Sequence, residues 1–173
     1  NGLSFLAGTT GVVDVASISG AGDFTLFNSG GATFNGLVEV GLLQLRNTTG
    51  NIVFNGGITA ATLDTKGQSF GVEINGGSNF ADSSFVTGFN NTGGVTLGGT
   101  NTFAGGLEST ASTTTLNGTV SSNLAIVLGD TLLSGDSSIT SNDAITLGAV
   151  DGAHALALVS LTGTTLNLSL IHI

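Results

Sequence analysis

The chain has 173 residues at 16.9 kDa, and small side chains dominate it: Gly, Thr, Ser and Asn make up about half, with 29 Gly alone, while Pro, Cys, Met, Trp and Tyr are absent. Eleven acidic residues against two basic ones, Arg46 and Lys66, give a net charge of −9; this excludes a phosphate-neutralising nucleic-acid surface and disfavours anionic membranes or an Arg clamp on phosphate or uronate groups. Without Cys there are no disulfides or thiolate sites, no apolar run approaches the ~20 residues of a membrane helix, and a hydrophobic content of 40% is too high for a disordered chain.

In chain order the apolar runs are short and alternating: Phe24-Thr25-Leu26-Phe27, Leu43-Gln44-Leu45, Ile52-Val53-Phe54, Val72-Glu73-Ile74, Val95-Thr96-Leu97, Ile126-Val127-Leu128 and Ile145-Thr146-Leu147. Each reads as a strand of three to five residues between turn-formers. No window holds an apolar stripe at helical spacing for three turns, so helix content is expected to be close to nil.

Self-comparison gives the fold. Phe34-Asn35-Gly36-Leu37 returns as Phe54-Asn55-Gly56-Gly57 after twenty residues and as Ile74-Asn75-Gly76-Gly77 after twenty more. Residues 95–99 align with 114–118 at nineteen, as do 125–129 with 144–148. A period of 19 to 20 built from short strands and tight corners predicts an all-β chain, a right-handed parallel β-helix of about eight coils. At ~4.8 Å per coil the rod is roughly 40 Å long. Phe, Leu, Ile and Val are expected to stack inside, with Thr, Ser and Asn in hydrogen-bonded files outside.

The residues Leu97-Gly98-Gly99-Thr100-Asn101-Thr102-Phe103-Ala104-Gly105-Gly106-Leu107, followed by Thr113-Thr114-Thr115-Leu116-Asn117-Gly118, resemble the passenger-associated repeat of bacterial autotransporters, with Phe103 where Tyr is common. The stretch from Ala144 to His154 resembles filamentous-haemagglutinin-like surface proteins. The resemblance implies a non-enzymatic stalk or adhesive rod, secreted by or anchored on a diderm bacterium. Its partners would be host or environmental surface glycans or proteins. The same resemblance places an outer-membrane translocator elsewhere in the full-length chain and carries no catalytic residues with it.

Residues 1–167 are expected to be one β-helix segment truncated at both ends, and therefore prone to end-to-end association. Leu168-Ser169-Leu170-Ile171-His172-Ile173 breaks the pattern and is similar to the direct translation of a transposase adapter used in sequencing libraries. On that basis residues 168–173 are expected not to be native, the source is expected to be a metagenomic fragment, and His172 carries no chemistry.

No catalytic, cofactor-binding or metal-ligating residue is nominated, and no cofactor is expected. Gly67-Gln68-Ser69-Phe70-Gly71 matches a Gly-x-Ser-x-Gly elbow in letters, with Asp82, Asp130 and His154 downstream, but an elbow leads from a strand into a helix and Val72-Glu73-Ile74 reads as a strand. Asp130, Asp136 and Asp143 lack the tandem Gly-Gly-x-Gly-x-Asp spacing of a calcium roll; Gly20-Ala21-Gly22-Asp23 is a partial copy occurring once. His154 has no partner for a metal, and the sequons at Asn47, Asn90 and Asn117 are cheap in an Asn/Thr-rich chain. Two other functions remain as alternatives. A polysaccharide-active β-helix would use paired carboxylates, with Glu39, Asp64 and Asp82 the trio that stacking would bring together. An ice-binding solenoid would need Thr-x-Thr at every coil, whereas Thr113-Thr114-Thr115 and Thr162-Gly163-Thr164-Thr165 do not recur at the period.

Overall fold

The computed structural model describes residues 2–166 and has no helix among them. Twenty-one strands, paired in parallel, form one continuous sheet wound into a β-solenoid of about nine turns. Residues 168–173, expected to be adapter sequence, lie outside the described residues.

Each turn crosses three faces. The first stacks Leu3–Phe5, Phe24–Phe27, 42–46, 62–65, Thr87–Gly88, Leu107–Ser109, Ile126–Leu128, Ile145–Leu147 and Thr164–Leu166. The second stacks Val12–Val15, Gly31–Phe34, Ile52–Phe54, Val72–Ile74, 95–97, 114–116, Thr131–Leu133 and Val150–Asp151. The third stacks Ile18–Ser19, 38–40, 58–60, Ser78–Phe80, 101–103, 119–122, Ser137–Ser141 and Leu156–Ser160. Most steps between turns are 19 or 20 residues, but the step from Thr114 to Thr131 is 17 and that from Asp64 to Gly88 is 24. The long step makes room for residues 81–86, which leave the third face as a loop.

Not every strand is short. Val38–Arg46, Val95–Phe103 and Thr114–Ser122 are nine residues each. They exceed the expected three to five because pairing continues around a corner: Gly98 stays opposite Asn117 and Gly99 opposite Gly118. Gly99 turns the chain there with a φ of 68°, which costs glycine little. At the second-to-third corner, Gly36, Gly56 and Gly76 stack so closely that a Cβ on Gly56 would fall on the Gly36 backbone. Beside them Asn75 donates to Asn55 (3.1 Å), Asn55 to Asn35 (3.4 Å) and Asn35 to Asp14 (2.7 Å), a ladder at the Asn-Gly corners read from the sequence.

Alternation decides what lies inside. In Ile52–Phe54, Val72–Ile74, Ile126–Leu128 and Ile145–Leu147 both end residues are buried and the middle one is half-exposed. Phe34 and Phe54 stack with centroids 4.8 Å apart and planes 7° from parallel, and Phe80 and Phe103 stack at 5.5 Å. Burying each such ring contributes about 1.5–3 kcal/mol.

The interior is also more polar than expected. After Phe80 and Phe103, the same inward file of the third face continues with Ser122, Ser141 and Ser160. Each serine hydroxyl donates to a carbonyl of the preceding turn: Ser122 to Phe103 (2.8 Å), Ser141 to Leu124 (2.8 Å) and Ser160 to Asp143 (2.8 Å). Each also accepts the amide two or three residues ahead, from Leu124, Asp143 and Gly163. Serine therefore serves on this inward file because its hydroxyl both donates to and accepts from corner backbone groups that have no strand partner.

Among the described residues, the first-turn strands pair on one side only. Leu3, Leu6 and Val12 are exposed at that end, and Val159, Leu161 and Leu166 at the other. Two outcomes follow. Phe54→Ala should cost about 3–5 kcal/mol in urea unfolding, against less than about 0.5 kcal/mol for the outward Thr140→Ala; equal effects would contradict the stacked interior. The 173-residue polypeptide should also grow in mass with concentration by end-to-end contact, and a monomer at every concentration in sedimentation would refute this.

Candidate functional site

Outward side chains stand in single files, one per turn. On the third face the file runs Ser19, Glu39, Thr59, Asn79, Thr102, Ser121, Thr140. Ser19 donates to Glu39 (3.2 Å), and Thr102 and Ser121 share a hydrogen bond of 3.2 Å. On the second face Thr33, Val53, Glu73, Thr96, Thr115 and Leu132 follow one another. In Thr113-Thr114-Thr115 the side chains split between the two sides: Thr114 is fully buried while Thr115 is half-exposed.

The residues weighed in the sequence are dispersed. Glu39 lies on the third face, Asp64 on the first, and Asp82 in the loop between them, where it accepts the Ser84 amide (2.8 Å). Asp130, Asp136 and Asp143 precede the strands of three successive faces in one turn, and so occupy three different corners. Asp136 accepts the Ala155 amide (3.0 Å), and Asp143 accepts the Thr162 hydroxyl (3.0 Å). His154 Nδ1 lies 3.6 Å from Asp136 at the surface. Among the described residues, no three His, Asp or Glu side chains gather as a metal centre would need. Around Ser69 the chain bends and then enters the strand Val72–Ile74, so Gly67 to Gly71 does not form a strand-to-helix elbow.

The sequence did not reveal that both cations meet on one carboxylate. Arg46 Nη2 lies 2.6 Å from one Asp64 oxygen and Lys66 Nζ 3.1 Å from the other. Gln44 donates to Asp64 from the preceding turn (3.4 Å) and accepts from Thr25 (3.0 Å). Partial burial would raise the Asp64 carboxyl, but the hydrogen bonds and charges of Lys66 and Arg46 outweigh it and hold the group below the usual Asp value. The signal was present in the period: Gln44 to Asp64 and Arg46 to Lys66 are each twenty residues apart.

Beside this cluster, at the first-to-second corner, an open cavity of about 540 Å³ is lined by Phe27, Asn28, Asn47, Thr49, Gln68 and Ser69, among others. Asn28 and Asn47 both take left-handed φ values, 62° and 52°, which Asn tolerates better than other non-glycine residues. Gln68 clamps Asn47 from the next turn, donating to its side-chain oxygen (2.6 Å) and accepting its backbone amide (2.5 Å). Thr49 donates to the carbonyl of Thr9 two turns away (2.9 Å). The repeat of Phe27-Asn28-Ser29 as Arg46-Asn47-Thr48 at nineteen residues was the sequence signal for this corner.

Asp64 carries a pH signature. Its lowered folded value means that the ion pairs stabilise the fold above the unfolded Asp value of about 3.9 and lose that contribution as pH falls through the folded value. Asp64→Asn should therefore destabilise by about 0.2–1 kcal/mol at pH 7, with the gap narrowing as pH falls below the unfolded value of about 3.9 and closing below the lowered folded value. Urea midpoints of both proteins at neutral and acid pH measure this, and a gap that persists in acid would contradict the assignment.

Compared with models of known protein families, with curated proteins and with solved structures, the chain matches none.

Proposed function

We propose that this chain is a non-enzymatic stalk or adhesive rod of an exported bacterial surface protein, of the autotransporter or haemagglutinin-like passenger type suggested by residues 97–118 and 144–154. It works outside the cell, and the outer-membrane translocator belongs to another part of the full-length chain. The observation that carries this reading is the surface itself: along the third face from Ser19 to Thr140 each turn presents a hydroxyl, an amide or an acid, and on the second face Thr33, Glu73, Thr96 and Thr115 share their file with the apolar Val53 and Leu132. Away from Asp64, carboxylates such as Glu39, Asp82 and Asp136 accept from Ser19, Ser84 and Ala155 rather than gathering with one another. Length comes from axial backbone hydrogen bonding, and contact comes from many shallow sites acting together. The partners are surface glycans or proteins.

The test is retention of beads coated with the 173-residue protein on mucin, on cell-surface extracts and on polysaccharide films, with released reducing ends measured in parallel. Retention without hydrolysis is expected, unchanged in the combined Glu39→Gln, Asp64→Asn, Asp82→Asn variant. Sugar release that vanishes in that variant would replace this reading with a polysaccharide-active enzyme. Thermal hysteresis in a dilute solution of the protein would replace it with ice binding.

A further inference from the structure

We propose that the groove at the first-to-second corner of the first four turns binds an uncharged saccharide. The inference rests on the adhesive reading above and supplies its contact chemistry.

The groove is held in shape before any ligand arrives. Asn28 and Asn47 repeat one turn apart in the same left-handed conformation, because the preceding residues Phe27 and Arg46 are register partners. Gln68 locks Asn47 through two hydrogen bonds, and Ser29 and Thr48 join hydroxyls beneath them at 3.0 Å. Such pre-ordering lowers the entropic cost of binding. Hydrogen-bonding capacity nevertheless remains: among the described residues, the side-chain amide of Asn28 makes no hydrogen bond, and Asn47 keeps its amide nitrogen free.

The lining selects the ligand class. Phe27 follows fully buried Leu26 and points outward, half-exposed, among hydroxyls and amides. It offers the flat apolar plate on which the C–H face of a sugar ring rests, while the amides meet its hydroxyls. No ionisable side chain lines the cavity. The nearest cations, Arg46 and Lys66, are both engaged by Asp64, and the net charge of −9 repels anionic ligands. A cation would find no carboxylate there, and an apolar ligand would strand the amides. The groove is also open, suiting one unit of a longer chain better than an enclosed metabolite.

Titration of the 173-residue protein with neutral glucose-, galactose- and mannose-terminated oligosaccharides, and with uronic-acid oligosaccharides, is the test. At least one neutral sugar should bind at roughly millimolar strength. Asn28→Gly, which keeps the left-handed turn, and Gln68→Ala should each weaken binding by about tenfold or more, which is about 1.4 kcal/mol. Thr140→Ala on the third face should not, and a cooperative urea transition with a native far-UV CD spectrum before it would show that the variants remain folded. Tighter binding of uronates overturns the proposal, as does neutral-sugar binding that ignores both groove variants. In either case the bead assay can still succeed, so the rod reading stands apart. Absence of any saccharide binding also overturns the groove proposal, and bead retention on protein surfaces then decides the rod reading independently.

Discussion

Every part of this molecule answers to one distance, the ~4.8 Å between hydrogen-bonded parallel strands. Because each turn lies directly on the one before it, a residue meets its counterpart some 19 or 20 positions away in nearly the same orientation. Like then stacks on like: Phe34 on Phe54, Asn35 on Asn55 on Asn75. The same closeness excludes side chains where backbone crosses backbone, as at Gly56 over Gly36. Glycine-rich composition is thus the physical counterpart of tight stacking at the corners.

The interior changes character along the axis without changing register. Seven of the ten phenylalanines are buried, from Phe24 to Phe103, and beyond Phe103 the core consists of Leu, Ile and Val with an inward file of serines. Buried phenylalanine gives way there to smaller apolar side chains, and Ser122, Ser141 and Ser160 hydrogen-bond the corner backbone. Each is worth about 0.5–1.5 kcal/mol net, and more is lost if a buried partner is left unsatisfied.

The fold was legible wherever residue identity forces a conformation. Asn-Gly corners at residues 35, 55 and 75 gave the period, and the alignments of 95–99 with 114–118 and of 126–128 with 145–147 are the observed registers. What was not legible depended on direction. Serine and threonine suit either side of a strand, so composition alone could not send Ser122 and Thr114 inward and Ser121 and Thr115 outward. The candidate groove and the Asp64 cluster were hidden for a second reason: their residues recur at the regular steps of 19 and 20, but the period alone does not say which side chains turn outward at a corner or reach diagonally into the next file. Arg46 and Asp64 are 18 residues apart and meet because long side chains bridge adjacent files.

Strands that lie across the axis put their hydrogen bonds along it. A force pulling the two ends apart therefore loads those bonds in tension, one turn at a time, rather than shearing many together. Such a rod peels from its ends in steps of about twenty residues, each releasing slack chain while the turns behind it stay wound. A solenoid used as a tether would lengthen under strain and rewind turn by turn when the load fell, because each turn needs only its neighbour as template.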